Sequence, residues 1–161
     1  MNGNCRTDKE VRMNGLIVLP VTGAILNRKF QNAYETFEDY AVNFDGKEIR
    51  VPKYFQYDGT SLSLIVRLLI GTPFNPRSTR AVLIHDWIHF THQLSKQDAD
   101  DLFCRLLRED GLDEVRVQLV RWGMKFCGGY HWENDECDFE YTEKLRYKIV
   151  ACGGDASLYG L

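Results

Sequence analysis

No stretch of this chain holds the roughly 20 consecutive apolar residues of a membrane-spanning helix, so no membrane span is expected. Nor does one sign of charge dominate: 20 Lys and Arg against 23 Asp and Glu leave a net charge of −3. That balance gives no global attraction to nucleic acid, and none is indicated as a partner. Cysteines number five, an odd count at wide spacing and without a C-x-x-C pair. The set argues against a zinc knuckle and against a disulfide scaffold, and it fits reduced thiols. A convincing signal peptide is also missing. Basic residues precede the apolar run at 16–21, but the leader is long and mixed in charge and the run is brief. That run reads as a strand.

What is present is enough for one domain with its own core, since 44% of the 161 residues are hydrophobic. The whole chain, 1–161, is expected to form it, with 1–13 as an N-terminal arm. Residues 14–58 read as β-rich: an aromatic stretch with partial alternation, the turn signal Asp45-Gly46, then an extended segment around Pro52. Proline cannot donate to a ladder, so that segment belongs at an edge or a strand end.

From 61 to 128 the period becomes helical. A short helix is expected to close at Gly71, and Asn75 before Pro76 suits the start of the next. Ser95 and Asp98 have the spacing of a capping box, and Gly111 suits the end of that helix. A further amphipathic helix runs from Leu112 towards Gly128 and Gly129. The remaining part, 129–161, reads as irregular, with strand and helix both open for 138–150. The fold class is therefore α+β: a small N-terminal antiparallel sheet followed by three or four helices, two of them an antiparallel hairpin.

Three of the four histidines fall between Ala81 and Gln93, in Ala-Val-Leu-Ile-His-Asp-Trp-Ile-His-Phe-Thr-His-Gln. His85 and His89 are four apart, on one helical face. With Asp86 they match the H-E-x-x-H zinc pattern, aspartate replacing glutamate. Aspartate is shorter and no third ligand is signposted, so Zn²⁺ is the weaker metal reading. Alternatively His85 acts as a general base, and Asp86 with Asp58 of the Tyr-Asp-Gly-Thr-Ser turn offers hard oxygens to Ca²⁺. The base then needs an orienting carboxylate, for which Asp98, Asp100 and Asp101 on the next helix are available. In a third reading these are structural groups: His89 and His92 lie exposed on a helix face, Asp98 caps, and a buried His85–Asp86 pair finds partners in the protein.

The ordered series Phe55-Gln-Tyr-Asp-Gly-Thr-Ser61, the His85-Asp86 helix, Asp98-Ala-Asp-Asp-Leu-Phe103 and Met124-Lys-Phe-Cys-Gly-Gly-Tyr-His-Trp132 resembles a family of phage and prophage proteins of unknown function. The resemblance covers about residues 55 to 132, with a DGxS turn and an HDxxY helix as its marks; His89 stands where that family tends to have Tyr. The arrangement is also similar, over shorter motifs, to prokaryotic secreted phospholipase A2. That similarity implies Ca²⁺ held by Asp58 and Asp86, His85 activating water, and Asp100 or Asp101 orienting His85.

Two functions follow as expectations. One is a phage-encoded, virion-associated or accessory protein with a structural or assembly role, in the virion or the host cytoplasm, meeting other phage or virion proteins through its terminal arms. The alternative is a hydrolase, an esterase of phospholipase A2 or cell-wall-directed type, that uses His85 beside an acidic metal site.

Overall fold

A computed structural model describes residues 11–13, 16–20, 33–59, 61–72, 75–127, 132 and 139–161. For 11–13 and 16–20 the description is of the backbone. The elements run β1 (Val11–Met13), β2 (Leu16–Pro20), β3 (Tyr34–Thr36), β4 (Tyr40–Phe44), β5 (Lys47–Val51) and β6 (Gln56–Tyr57). Then come α1 (Leu64–Ile70), α2 (Thr79–Thr91), α3 (Lys96–Glu109), α4 (Glu114–Cys127), α5 (Phe139–Ala151) and a 3₁₀ turn, Ala156–Tyr159. The fold is α+β, a small antiparallel β region followed by five helices.

Strands β1, β2, β3 and β6 form one antiparallel sheet in that order, and β4 with β5 forms a separate hairpin. The hairpin turns on Asp45 and Gly46, both at positive φ, with Phe44 paired to Lys47. Two residues with positive φ make the tight turn whose twist matches the strands it joins. Pro52 follows directly after β5, at the strand end expected of a residue without an N–H. Beyond it Thr36 holds the chain to β3. Its hydroxyl donates to the Pro52 carbonyl at 2.7 Å and accepts from the Phe55 N–H at 3.0 Å.

Helix α2 is the axis of the molecule. Every residue from Thr79 to His89 is buried, on all sides of the helix, which marks a core helix and not an amphipathic surface one. Trp87 packs edge-on against Phe55 with ring centres 4.9 Å apart. Helix α3 returns antiparallel: Arg80, in the first turn of α2, pairs with Glu109 at 2.8 Å and Asp110 at 2.9 Å at the far end of α3. The link between them needs His92 in the left-handed region, where its N–H caps α2 on the Ile88 carbonyl at 2.7 Å.

Two sequence expectations change here. Asn75 is not the cap of α2; it opens a turn, its carbonyl accepting from Ser78 and Thr79 N–H, and the helix begins at Thr79 after Ser78. Proline at 76 favours that tight turn as readily as a first helical turn. The C-terminal part is also more ordered than an irregular arm. It contains the 13-residue α5 and the 3₁₀ turn, and Tyr159 is buried with its hydroxyl on Asp39. Tyr141 of α5 accepts from the Gln56 N–H and donates to the Gln56 carbonyl, both at 2.8 Å, and so clamps β6 just ahead of the Asp58-Gly59 turn. Residues 1–10 of the expected N-terminal arm and the Gly128-Gly129 helix end lie outside the described residues. Among those described, no helix is long and apolar enough to cross a membrane.

Candidate functional site

The site forms where the turn after β6 meets the middle of α2 and the first turn of α3. Asp86 reaches the turn with both carboxylate oxygens: Oδ2 accepts from the Gly59 N–H at 2.9 Å and Oδ1 accepts from the Ser61 hydroxyl in a short contact. Gly59 has φ +75, a backbone state glycine enters without strain, and this aims its N–H at the carboxylate. Ser61 Oγ also lies 3.1 Å from His85 Nδ1. A carboxylate has no proton to give, so the Ser61 hydroxyl spends its proton on Asp86. Oγ then accepts from His85, which fixes the neutral imidazole as the Nδ1–H tautomer.

The other ring nitrogen is left differently. His85 Nε2 is buried and has no hydrogen-bond partner. Asp100 Oδ1 faces it at 3.6 Å, beyond hydrogen-bond length. Lys96 Nζ holds the other Asp100 oxygen at 2.6 Å and touches the Met124 carbonyl at 3.4 Å. Between these groups lies a cavity of ≈ 10 Å³, lined by Ser61, His85, His89, Lys96, Asp100 and Met124 among others. That is about the room one water molecule needs.

Burial governs the electrostatics. The His85 side chain is 3% exposed, and burial pushes its imidazole down to about 4 against the opposing pull of Asp100. Burial raises the Asp100 carboxyl, but the facing His85 ring and the Lys96 ammonium outweigh it and leave the group below its ordinary value. At neutral pH the picture is a neutral imidazole, a carboxylate and an ammonium.

The expected site residues are thus brought together in part. His85, Asp86 and Asp100 converge; Asp101 does not, since it turns outward to Arg121 of α4 at 2.8 Å. Adjacent residues on a helix point about 100° apart, so only one of the two acids can face α2. Asp58 is half-buried beside Gly59, whose N–H goes to Asp86. Asp98 serves the cap of α3, which is Ser95: Ser95 Oγ accepts from the Asp98 N–H at 3.1 Å and donates to the Asp98 carboxylate at 2.7 Å. His89 departs from the exposed position expected of it: it is 3% exposed, with its ring 4.3 Å from that of His85 and edge-on to Trp132 at 4.8 Å. The reason is that α2 is surrounded on all sides and leaves no solvent face before its last turn. His92, past the helix end, is exposed.

Lys96 is the member the motifs do not flag, and Ser61 is one they contain without a role assigned to it. Lys96 has a signal, since it stands four residues before Asp100 on the same helix. Ser61 is the serine of the DGxS turn. At Asp86 each carboxylate oxygen already accepts from one N–H or O–H donor, so a cation there would share the oxygens with the turn. Among the described residues no three His, Cys, Asp or Glu side chains are grouped as ligands.

No curated protein and no solved structure matches the chain. A family described as "Protein of unknown function (DUF1353)" matches residues 34–124. The matched span takes in the Asp58 turn, the His85-Asp86 helix and Asp100, together with β3 to β6 and most of α4. As the match covers more than half of its length, the chain belongs to that family.

Proposed function

We propose that the protein is a phage-type virion-associated or accessory component with a structural or assembly role, and that its His-Asp-Ser cluster ties the fold together and performs no chemistry. The observation behind this reading is how the turn is tied to α2. Asp86 gives one oxygen to Gly59 N–H and the other to the Ser61 hydroxyl, Ser61 gives its oxygen to His85 Nδ1, and the His85 side chain is only 3% exposed. Buried polar contacts of this kind specify how a loop seats on a core helix. The resemblance of the ordered motifs to phage and prophage proteins supports the setting, the virion or the host cytoplasm.

One observation favours the alternative, a hydrolase. His85 Nε2 keeps a bare lone pair turned to a cavity the size of one water, with Asp100 and Lys96 on the other side. A water there has one proton for Nε2 and one for Asp100, which is the disposition of a general base with its nucleophile. Against this, the cavity admits no substrate carbonyl beside that water, and an imidazole at about 4 is a weak base at neutral pH.

The experiment is a broad esterase and peptidoglycan-hydrolysis screen of the wild type and His85→Ala, with elemental analysis for bound Ca²⁺ and Zn²⁺. The proposal expects no turnover in either protein and no stoichiometric metal, with reduced stability in the variant. Turnover by the wild type that disappears in a folded His85→Ala protein would establish the hydrolase.

A further inference from the structure

Helix α4 is apolar on two opposite faces. Val117, Val120 and Met124 point into the core together with Gly123. On the far side Val115, Leu119, Trp122 and Phe126 follow one another at intervals of four, three and four residues, all of them exposed. Trp122 is 63% exposed and Phe126 64%, and their rings lean together with centres 4.6 Å apart. Scattered surface apolars need no explanation, but a continuous stripe of about 16 Å does. Intervals of four and three are those of a helix that packs along another helix.

We infer that this stripe is a two-fold interface with a second copy of the chain, the two α4 helices lying antiparallel. The 4-3-4 spacing reads the same in both directions, so one rotation about its midpoint matches the whole stripe to itself. Val115 then faces Phe126 of the second copy and Leu119 faces Trp122, a smaller side chain against a larger one at each level. Such an isologous contact closes on itself and is the commonest form of soluble oligomer.

The charges fit the same arrangement. Glu114 is paired within its own chain to Arg108 at 2.7 Å, Arg116 to Asp113 at 3.3 Å, and Arg121 to Asp101 at 2.8 Å. Lys125 has no ion pair among the described residues. Antiparallel docking brings Lys125 to the end of the other helix where Glu114 and Gln118 are already joined at 2.6 Å. It does so twice, once on each side of the axis. On the opposite flank Arg116 falls beside Gly123 of the second copy, so no like charges meet. Ile65 of α1 borders the stripe at that glycine, within 3.6 Å of where a Cβ on Gly123 would stand, and is itself half exposed. The interface therefore widens from a helix pair towards a four-helix packing of α1 and α4 from each copy. This inference stands on α4 alone and holds whichever role the His85 cluster has.

The test is sedimentation equilibrium of the full chain up to tens of micromolar, for wild type, Trp122→Glu, Leu119→Lys, and the α5 surface control Tyr147→Glu, each checked for folding by circular dichroism. The expected result is a wild-type dimer whose dissociation constant rises at least about thirtyfold in both α4 variants and is unchanged in the control. Lys125→Glu is expected to weaken association by up to about fivefold, and adding Glu114→Lys to restore it, which an orientation other than antiparallel would not produce. A monomer at every concentration overturns the inference, as does a dimer that survives the α4 variants or is broken by Tyr147→Glu.

Discussion

Ser61 has the most to lose of any single side chain in the cluster. Its hydroxyl supplies the proton that Asp86 Oδ1 accepts and the oxygen that meets His85 Nδ1. Ser61→Ala takes one hydrogen bond from Asp86 Oδ1 and the one at His85 Nδ1, at a cost of about 2 kcal/mol. A fall in the urea midpoint at unchanged slope is the expected outcome, and an unchanged midpoint would mean that the turn is not held by this bond. The sequence made the cluster visible only in part. The His-Asp pair inside an apolar run is conspicuous because buried polar groups need partners, and the Asp-Gly turn announces a backbone N–H free to serve one. Which of Asp100 and Asp101 faces His85 depends on the rotation of α3 about its axis, which residue spacing leaves open between neighbours. The burial of His89 is set by elements distant in sequence, Trp132 among them, and no local pattern reports it.

Among the elements, the ones with chemical punctuation were legible and the ones defined by packing were not. Ser95 and Asp98 mark the start of α3, Gly71 follows α1, and Asp45-Gly46 turns the hairpin, each by a local hydrogen bond or a left-handed backbone. Ser95→Ala is accordingly expected to cost about 1 kcal/mol through loss of the α3 cap, read as a lowered melting temperature. Helix α5 lacked such marks, and its residues fit strand or helix until Tyr141 is seen clamping Gln56. Its C-terminus depends on glycine for another reason. A Cβ on Gly154 would stand 2.8 Å from Ile149 Cγ2 and 3.2 Å from the Ile149 carbonyl oxygen. Backbone cannot yield as a flexible side chain does, so Gly154→Ala is expected to destabilise by about 1–3 kcal/mol. Gly153→Ala, with open space but φ +83, should cost less, about 1 kcal/mol. Equal midpoints for the two variants would contradict this difference.

For the molecule as a whole, the buried imidazole links stability to pH. The unfolded His85 takes up a proton near its ordinary 6.5, whereas the folded one resists until about 4. Its contribution is therefore fully present above about pH 6.5 and is lost as the pH falls towards 4, on the order of 3 kcal/mol in total. Asp100, also held below its ordinary value, continues the loss under still more acid conditions. Urea midpoints measured from pH 7.5 to 4 should decline across that window, and His85→Gln should flatten the decline. A sealed, neutral His85 is what separates a structural tie from a working base. Nitrogen-15 NMR of the histidine ring through a pH titration observes it directly. The account expects the His85 Nδ1–H tautomer, with Nε2 unprotonated, to persist from neutral pH down to about 4. A ring that protonates near 6.5 and exchanges its protons freely with solvent would contradict it and place His85 in an open, chemically competent site.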